Sequence, residues 1–213
     1  MSAPSAEVRA PLVPLERAFY DRATTDVARD LLGLWVVRST PDGLSGGPIV
    51  ETEAYGGPED LASHARAGLT RRTTPMFGEV GHAYVYLVYG MHECLNVVAY
   101  NGASAGAVLI RAIAPGLGID EIRRRRGRPT DPTTRLCSGP AMVCQGLAVD
   151  RSFDGHDLTL GEGLWLGRPP DGVQADIASG SRVGVDYAGG WAAKPWRFWM
   201  SGHPSVSRGT RGR

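Results

Sequence analysis

The sequence predicts an α+β fold, a single compact domain in which helices flank a curved, mostly antiparallel β-sheet. Short runs of β-branched and aromatic residues are separated by hairpin-sized connections, with helical patterns at intervals. The 29 glycines and 15 prolines among 213 residues supply many turns, and the apolar residues, 42% of the chain, suffice for one core. We therefore expect a flexible lead-in at 1–14, one domain at 15–207 and a basic tail at 208–213.

The elements in chain order support this fold class. A first helical pattern ends at Gly33, and the two strands after it are joined by the turn-forming stretch 41–47. Helix 118–128 carries acidic residues early and basic residues late, the order that the helix dipole favours. Strands are predicted at 34–40, 48–55, 82–90, 94–100 and 107–113, with further strands within 181–200. Helices are predicted at 15–32, 57–68, 118–128 and 138–149.

Composition excludes several classes of protein. The three cysteines are an odd number without short paired spacing, which favours neither a disulfide framework nor a zinc site and indicates a reducing, intracellular setting. The five histidines are scattered, so we expect no metal, and no glycine-rich phosphate loop suggests a nucleotide cofactor. There is no apolar run of about 18 residues and no signal-peptide pattern, so we expect no membrane association.

The distribution of charge is more informative than the net charge of +1. Lys194 is the only lysine among 23 basic residues, and an arginine-rich codon bias is the simplest reason for that excess. Codon bias does not explain why the arginines cluster, however, and arginine makes forked hydrogen bonds to phosphate. The clusters are Arg71 and Arg72, Arg123 to Arg126 with Arg128, and Arg208, Arg211 and Arg213.

The segment VETEAY is the first candidate for chemistry. Side chains alternate along a strand, so Glu51, Glu53 and Tyr55 share one face. Taken alone, this pattern is better explained by a solvated charged face. Arg111 changes that balance, because it lies in the apolar run AVLIRAI, where a buried guanidinium needs an anionic partner such as Glu53 or Glu51. The pair could be structural, or the carboxylate could take a proton from water.

Two further segments are candidates for binding. Tyr84 and Tyr86 share one face of the strand HAYVYLVYG, and Tyr89 lies at its end before Gly-Met, where an aromatic ring is hard to explain as packing. Aromatic wedges at such tips are a device of minor-groove binding. Ser138 and Gly139 open a helix and could offer N–H groups to an anion, although an ordinary helix cap is the simpler explanation.

Together these segments resemble the alkyladenine (3-methyladenine) DNA glycosylase family. The resemblance covers roughly residues 16 to 206 in the family's order. It implies an enzyme of base-excision repair that flips alkylated or deaminated purines out of duplex DNA and hydrolyses the N-glycosidic bond. The matching stretches are VETEAYGGPEDLASH, MFGEVGHAYVYLVYGMHECLN, VLIRAI, LCSGPAMVCQGLAVDRSFDG and RVGVDYAGGWAAKPWRF.

The resemblance assigns the catalytic roles to three residues. Glu53 matches the general base that activates the attacking water, and Arg111 matches its partner. The backbone carbonyl of Val183 is implied as a third contact to that water. We further expect a monofunctional reaction that leaves an abasic site, because no lysine stands near the proposed site for a lyase step.

The resemblance also assigns the pocket that receives the base. Tyr55 matches the ring that stacks on one face of the flipped base, while His64 and Tyr86 enclose its other face and edges. The backbone at Ala62 and His64 is implied to bond the base. Asn96 matches the residue that crowds out the exocyclic amine of normal guanine.

The remaining matches concern DNA. Tyr89 matches the wedge that fills the gap left in the base stack, with Met91 and Met76 beside it. One departure is that Gly68 is followed by Leu69, where the family usually has a basic residue, so a phosphate contact is expected to be lost. Contacts with the DNA backbone are expected from Thr70, Arg72, Ser138 and Gly139.

The resemblance implies double-stranded DNA with a damaged purine as the partner, and we expect a cytoplasmic monomer that is nucleoid-associated if bacterial. Two rival functions remain open at this point. A lesion-binding protein that does not cut would need Tyr89 and the arginines but not Glu53 with Arg111. A hydrolase of small nucleosides would need the carboxylate but neither the exposed tip nor the arginine clusters.

Overall fold

The computed structural model describes residues 12–100, 104–169 and 175–209, within which nine strands form one sheet. Those strands are β1 (Val13–Pro14), β2 (Trp35–Thr40), β3 (Gly43–Tyr55), β4 (Ala83–Val88), β5 (His92–Val98), β6 (Ala107–Ile113), β7 (Leu164–Arg168), β8 (Ile177–Gly180) and β9 (Arg197–Met200). The sheet runs β1-β7-β2-β3-β6-β5-β4, and β9 pairs with both β3 and β8. Its pairings are antiparallel and the sheet is curved, which confirms the predicted fold class.

Helices pack against this sheet, and the four α-helices of the described residues are shorter than the helices that the sequence suggested. They are α1 (Thr24–Asp30), α2 (Ile119–Arg126), α3 (Thr133–Leu136) and α4 (Pro140–Leu147). The predictions at 118–128 and 138–149 are confirmed by α2 and α4, although α4 begins at Pro140 rather than Ser138. The prediction at 15–32 is wrong in extent, because a 3-10 turn at Arg17–Phe19 is separated from α1. The sequence analysis missed α3, β1, β7 and β8.

Strand β3 is longer than predicted and lies at the centre of the sheet. The stretch expected to be a hairpin connection, 41–47, is strand from Gly43 onward. The reason is close packing at two glycines: a Cβ on Gly46 would lie 2.1 Å from the carbonyl oxygen of Val36, and one on Gly47 would lie 1.9 Å from that of Ala114. These glycines let neighbouring backbones approach, rather than forming a turn.

The region 57–68 is a loop and not the predicted helix, apart from a 3-10 turn at His64–Ala67. The side chain of Asp60 accepts hydrogen bonds from the backbone N–H of Gly56 (2.9 Å) and of Ala62 (3.0 Å). A carboxylate that bonds its neighbouring amides competes with helix formation. Within 181–200 only β9 is a strand, and Asp186–Trp191 forms 3-10 turns.

The chain ends differ slightly from the expected boundaries. Val13 and Pro14 pair with Arg168 and Gly167, so regular structure begins just before the predicted boundary at residue 15. Residues 1–11 of the expected lead-in and 210–213 of the expected tail lie outside the described residues. The domain limits themselves stay a prediction.

The two faces of the central strands differ in chemistry. One face packs against α1 and α4 in the main core, whose members include Val27, Ala54, Leu95, Ile110, Val143 and Leu147. The other face carries a row of residues in register across four strands: Tyr84 pairs with Asn96, Asn96 with Leu109, and Leu109 with Glu53. Paired residues of antiparallel strands point to the same side. The predicted site residues of β3 to β6 are thereby brought together on one surface.

Candidate active site

A cavity of about 530 Å³ lies over this row of residues. Its size falls within the range of small-ligand pockets. Among the residues predicted for the site, those that line the cavity are Tyr55, Ala62, His64, Arg72, Met76, Tyr86, Tyr89, Asn96, Arg111 and Val183. Residues from strands β3, β4, β5 and β6, from the loop region 62–76 and from the segment at 183 thus converge on one pocket.

Glu53 is fully buried directly behind the wall of this cavity. Its Oε1 accepts a hydrogen bond from the backbone N–H of Val183 at 2.7 Å. Its Oε2 accepts one from the Tyr55 hydroxyl at 2.8 Å and one from Arg111 Nη1 at 3.2 Å. All three donors line the cavity, and they occupy three of about four acceptor positions of a carboxylate.

Glu51 has a different environment, which separates the two candidate carboxylates. It accepts hydrogen bonds from Arg111 Nε (2.9 Å), Arg197 Nε (2.6 Å), Ser207 Oγ (2.8 Å) and the backbone N–H of Ser207 (2.7 Å). Its acceptor positions are filled by the protein, and two of its three donor residues, Arg197 and Ser207, do not line the cavity. The solvated charged face that the strand pattern alone favoured is wrong, because both glutamates are fully buried.

Arg111 bridges the two carboxylates rather than choosing one of them. Burial by itself would lower the pKa of Arg111, but Glu53 and Glu51 raise it above its usual value, so the guanidinium remains charged. A buried ion pair that lost one member would leave an uncompensated charge. The cluster of Glu51, Glu53, Arg111 and Arg197 is balanced at two negative and two positive charges.

Tyr55 connects the carboxylate to the pocket wall. Burial, followed by the charge of Glu53, raises the pKa of Tyr55 well above its usual value, so the hydroxyl stays protonated and donates to Glu53. The guanidinium of Arg182 lies 4.8 Å from the centre of the Tyr55 ring and 5.0 Å from that of Trp196. Tyr55 borders the cavity while Arg182 does not, so Arg182 covers the ring face turned away from the pocket.

His64 forms the opposite wall with two tyrosines. Burial and then Arg72 and Arg66 lower the pKa of His64 to about 4, so the ring is neutral at pH 7. Its Nε2 lies 3.4 Å from an Arg72 donor, and its Nδ1 lies 2.9 Å from the Tyr84 hydroxyl. Since arginine can only donate, Nδ1 carries the proton and donates to Tyr84. The Tyr86 ring packs edge-on against His64 with the ring centres 4.5 Å apart.

Asn96 lies in the floor of the pocket and is almost fully buried. Its Nδ2 donates to the backbone carbonyls of Tyr84 (2.9 Å) and Cys94 (3.3 Å). Both partners are acceptors, which fixes the orientation of the amide and leaves Oδ1 as the atom that a ligand would meet. Cys94 borders the same cavity, and like Cys137 and Cys144 it is buried and unpaired.

Tyr89 protrudes at the tip of the β4–β5 hairpin, 89% exposed. It has a φ of 51° and Gly90 a φ of 70°, so both residues of the turn lie in the left-handed region. Met91 beside them is 68% exposed, as expected. Met76 is not part of this tip: it is 1% exposed and packs beneath the pocket among small and aromatic residues, so its predicted place beside the wedge is wrong.

Of the residues predicted to contact the DNA backbone, Arg72 lines the pocket, whereas Thr70, Ser138 and Gly139 do not. Thr70 begins a turn that is closed by hydrogen bonds with Thr73, and Leu69 beside it is 70% exposed. Arg72 borders both the pocket and a neighbouring basic depression of about 820 Å³ that Arg71 and Arg151 also line. Ser138 lines a second depression, and Gly139 precedes the first residue of α4.

Sequence reasoning missed the pair formed by Asp60 and Arg182. Two hydrogen bonds of 2.6 and 2.9 Å join their side chains, which have no exposed surface. Tyr187, 64% exposed at the rim of the pocket, was also missed. The one feature of the sequence that could have pointed to Arg182 was its position directly before Val183, a predicted site residue, inside a stretch that was expected to be strand.

Among the described residues, no three His, Cys, Asp or Glu side chains are grouped so that they could hold a metal ion. None of the helices in the described ranges is long and apolar enough to cross a membrane.

Comparison with known proteins gives a consistent result. Residues 18–204 match the sequence model of the family described as "Methylpurine-DNA glycosylase (MPG)". The human DNA-3-methyladenine glycosylase is 41% identical over 206 residues, covering 92% of this chain and 68% of its own. Two further relatives carry the name 3-methyladenine DNA glycosylase as a provisional one. The protein from Rubrobacter xylanophilus is 49% identical over 81% of this chain and 86% of its own. The protein from Methanocella arvoryzae is 44% identical over 91% of this chain and 96% of its own.

The fold, the buried carboxylate and these comparisons define a DNA repair enzyme of the glycosylase class, a hydrolase of N-glycosyl bonds. The chain belongs to the methylpurine-DNA glycosylase family.

Proposed function

We propose that this protein flips alkylated or deaminated purines, of the 3-methyladenine, 7-methylguanine, hypoxanthine and ethenoadenine class, out of duplex DNA. It then hydrolyses the N-glycosidic bond with an activated water and leaves an abasic site. The observation that carries the proposal is the position of Glu53, whose three hydrogen-bond donors all border a cavity walled by aromatic rings.

The pocket suits a flat ring system. Tyr55 offers one wall, and His64 with Tyr86 offers another. Extrusion of a nucleotide costs a few kcal/mol, least for a damaged or mispaired base, and stacking on an aromatic ring returns about 1–3 kcal/mol. The amide of Ala62 is already bonded to Asp60, whereas its carbonyl accepts only the Tyr187 hydroxyl at 3.5 Å, so the carbonyl is the group with acceptor capacity left for a bound base.

Glu53 supplies the base for the hydrolytic step. A water that occupies the fourth acceptor position of the carboxylate would lose a proton to Glu53 as its oxygen attacks C1′ of the deoxyribose. The bond between C1′ and the base breaks, and its electron pair leaves with the base. An alkylated, cationic purine departs as a neutral base, whereas a neutral lesion must gain a proton. In this scheme the Val183 amide and Arg111 hold the carboxylate, and the carbonyl of Val183 is the further acceptor for the water.

The position of Lys194 favours a monofunctional reaction. The only lysine of the chain has its Nζ 4.7 Å from the ring centre of Trp196. The guanidinium of Arg182 lies on the other side of Trp196 and in turn contacts the ring of Tyr55 at the pocket wall. Three side chains therefore separate the Lys194 amine from the pocket. A Schiff base with the deoxyribose would need a lysine within the cavity.

Lesion-containing duplex as the substrate is supported by the basic surface around the pocket. One depression of about 810 Å³ is lined by Ser138. Two residues further along the chain, Pro140 lines the pocket itself, so the depression and the pocket are neighbours. Four arginines line this depression, a composition that fits phosphate oxygens. They are Arg126, Arg128, Arg135 and Arg208.

An excision assay tests the proposed function. Duplex DNA with one hypoxanthine or 7-methylguanine is compared with the matching free nucleoside and with undamaged duplex. We expect release of the free base from the lesion duplexes alone, with an abasic strand that stays intact until alkali is added. Binding without release would support a lesion-binding protein, equal cleavage of the free nucleoside would support a nucleoside hydrolase, and strand scission without alkali would contradict the monofunctional reaction.

Replacement of an arginine in the basic depression should weaken DNA binding without affecting sequence or lesion preference. For Arg135→Ala we expect lower affinity for lesion and undamaged duplex alike, and a decrease of about 1 in the slope of log affinity against log salt. Arg168→Ala, an exposed arginine on β7 outside both basic depressions, is the matched control and should change neither value. An unchanged slope for Arg135→Ala would remove this depression from the DNA interface.

Asn96→Ser should relax the exclusion of guanine-type bases. Guanine carries an amino group at C2 that adenine and hypoxanthine lack, and the shorter serine would leave room where the Asn96 side chain now stands. We expect a rise in the ratio of 7-methylguanine to hypoxanthine excision under single-turnover conditions. Attack on normal guanine should stay slow, because it still has to be unpaired from cytosine. If that ratio is unchanged, Asn96 does not discriminate.

A further inference from the structure

A buried charge pair lies directly behind the proposed base-stacking ring. Arg182 and Asp60 form a bidentate ion pair in which neither side chain has exposed surface. Arg182 also donates to the backbone carbonyls of Ala54 (2.9 Å) and Trp191 (3.2 Å). Asp60 accepts the amides of Gly56 and Ala62 in addition.

The pair supports three parts of the pocket at once. The guanidinium of Arg182 covers the outer face of Tyr55, and the carboxylate of Asp60 ties down the loop that carries Ala62. The residue after Arg182 is Val183, whose amide holds Glu53. The pair is therefore placed to influence the pocket, although neither member borders it.

The charge of the pair is close enough to a bound base to affect its affinity. Arg182 lies 4.8 Å from the centre of the Tyr55 ring, and a base stacked on the other face would lie about 3.5 Å beyond it. In the intact pair the negative charge of Asp60 offsets the positive charge of Arg182. An uncompensated unit charge at about 8 Å in a protein interior would change the binding of an ion by roughly tenfold or more.

We propose that the Asp60–Arg182 pair determines how the pocket divides its affinity between cationic and neutral purines. The intact pair presents no net charge behind Tyr55, which lets the same ring accept an alkylated, cationic base and a neutral one. This inference rests on the proposed function, in which Tyr55 stacks on the flipped base. Asp60 and Arg182 are positioning residues, because neither would touch the substrate.

The test measures binding, since a neutral purine takes up a proton as it leaves and excision rates would blur the difference. Affinities are measured near pH 6 in a Glu53→Gln background for duplexes with 7-methylguanine, which is cationic, and with ethenoadenine, which is neutral. We compare Asp60→Asn, Arg182→Met and the double variant. Lys194→Met is the control, because it removes a partly solvent-exposed cation beyond Trp196.

Opposite shifts in the two single variants are the expected result. Asp60→Asn leaves an uncompensated cation and should lower the affinity ratio of cationic to neutral lesion by about tenfold, whereas Arg182→Met should raise it. The double variant should return towards the original ratio even if both affinities fall, and Lys194→Met should change it less than twofold. If the pair had a purely structural role, its loss would weaken the binding of both lesion duplexes together. Shifts of the affinity ratio in the same direction in the two single variants, or no shift, would therefore overturn the proposal.

Two controls keep the outcome interpretable. If Arg182→Met does not fold, as judged by thermal melting, Arg182→Lys takes its place: it keeps the positive charge and should keep the ratio, while the nearly isosteric Asp60→Asn still lowers it. The parent protein is tested in parallel for excision of both lesions. Failure to excise either would overturn the proposed function, whereas normal excision with an unchanged ratio in the variants would overturn only the role of the pair.

Discussion

Glu53→Gln should abolish base excision while binding to DNA with a neutral lesion stays nearly intact. The amide cannot accept a proton from water, and general-base catalysis contributes about 10²–10⁴-fold, so single-turnover excision is expected to fall by at least a hundredfold. The substitution is nearly isosteric, so the Val183 amide can still donate to the side-chain oxygen. Arg111 keeps its bond to Glu51 in the variant, so the neighbouring side chains should hold their places.

The neighbouring carboxylate offers the matched control for this experiment. Glu51→Gln removes a charge that Arg111, Arg197 and Ser207 share, so we expect it to lower the thermal unfolding midpoint. Excision per folded molecule should change far less than in Glu53→Gln. Near-normal single-turnover excision by Glu53→Gln, or equal losses in the two variants, would exclude Glu53 as the base.

Tyr89→Ala should impair flipping and lesion binding more than it slows chemistry once the base is in the pocket. The ring is 89% exposed at the hairpin tip, so its removal should cost little folding stability. Inserted into the base stack, an aromatic side chain is worth about 1–3 kcal/mol, which predicts roughly tenfold weaker binding of lesion duplex. Because Tyr89 is separate from Glu53 and its partners, the rate within the flipped complex should be nearly unchanged.

A fluorescent base analogue next to the lesion measures this effect directly, since its emission rises when stacking is lost. Tyr89→Phe is the matched control, because it keeps the ring and loses only the hydroxyl. We expect the phenylalanine variant to flip the lesion almost as well as the parent protein. An unchanged flipping equilibrium in Tyr89→Ala would exclude Tyr89 as the wedge.

The parts of the site that the sequence predicted depend on regular alternation along strands. Glu53 and Tyr55, two residues apart on β3, do share a face, as do Tyr84 and Tyr86 on β4. The need of Arg111 for a carboxylate followed from its place in an apolar run, and the structure shows that it contacts both candidates. Local pattern and charge were sufficient for these residues.

What could not be predicted depends on contacts between distant segments. Asp60 meets Arg182 across 122 positions of the chain, and Glu51 meets Arg197 and Ser207 across 146 and 156. Nothing in the spacing of these residues indicates that they meet. For the same reason the strand at 43–47 was mistaken for a turn, since only the neighbouring backbones show why Gly46 and Gly47 are needed.

The burial of the cysteines has a consequence for survival under chemical stress. Burial raises the pKa of Cys94 to about 11 and that of Cys137 to about 12, and it also raises the pKa of Cys144. Thiolates, and not thiols, are the forms that electrophiles and oxidants attack. Electrophiles that methylate purines in DNA would therefore find no cysteine thiolate to attack at neutral pH, so the cysteines should not limit the activity of this protein while the damage is being made.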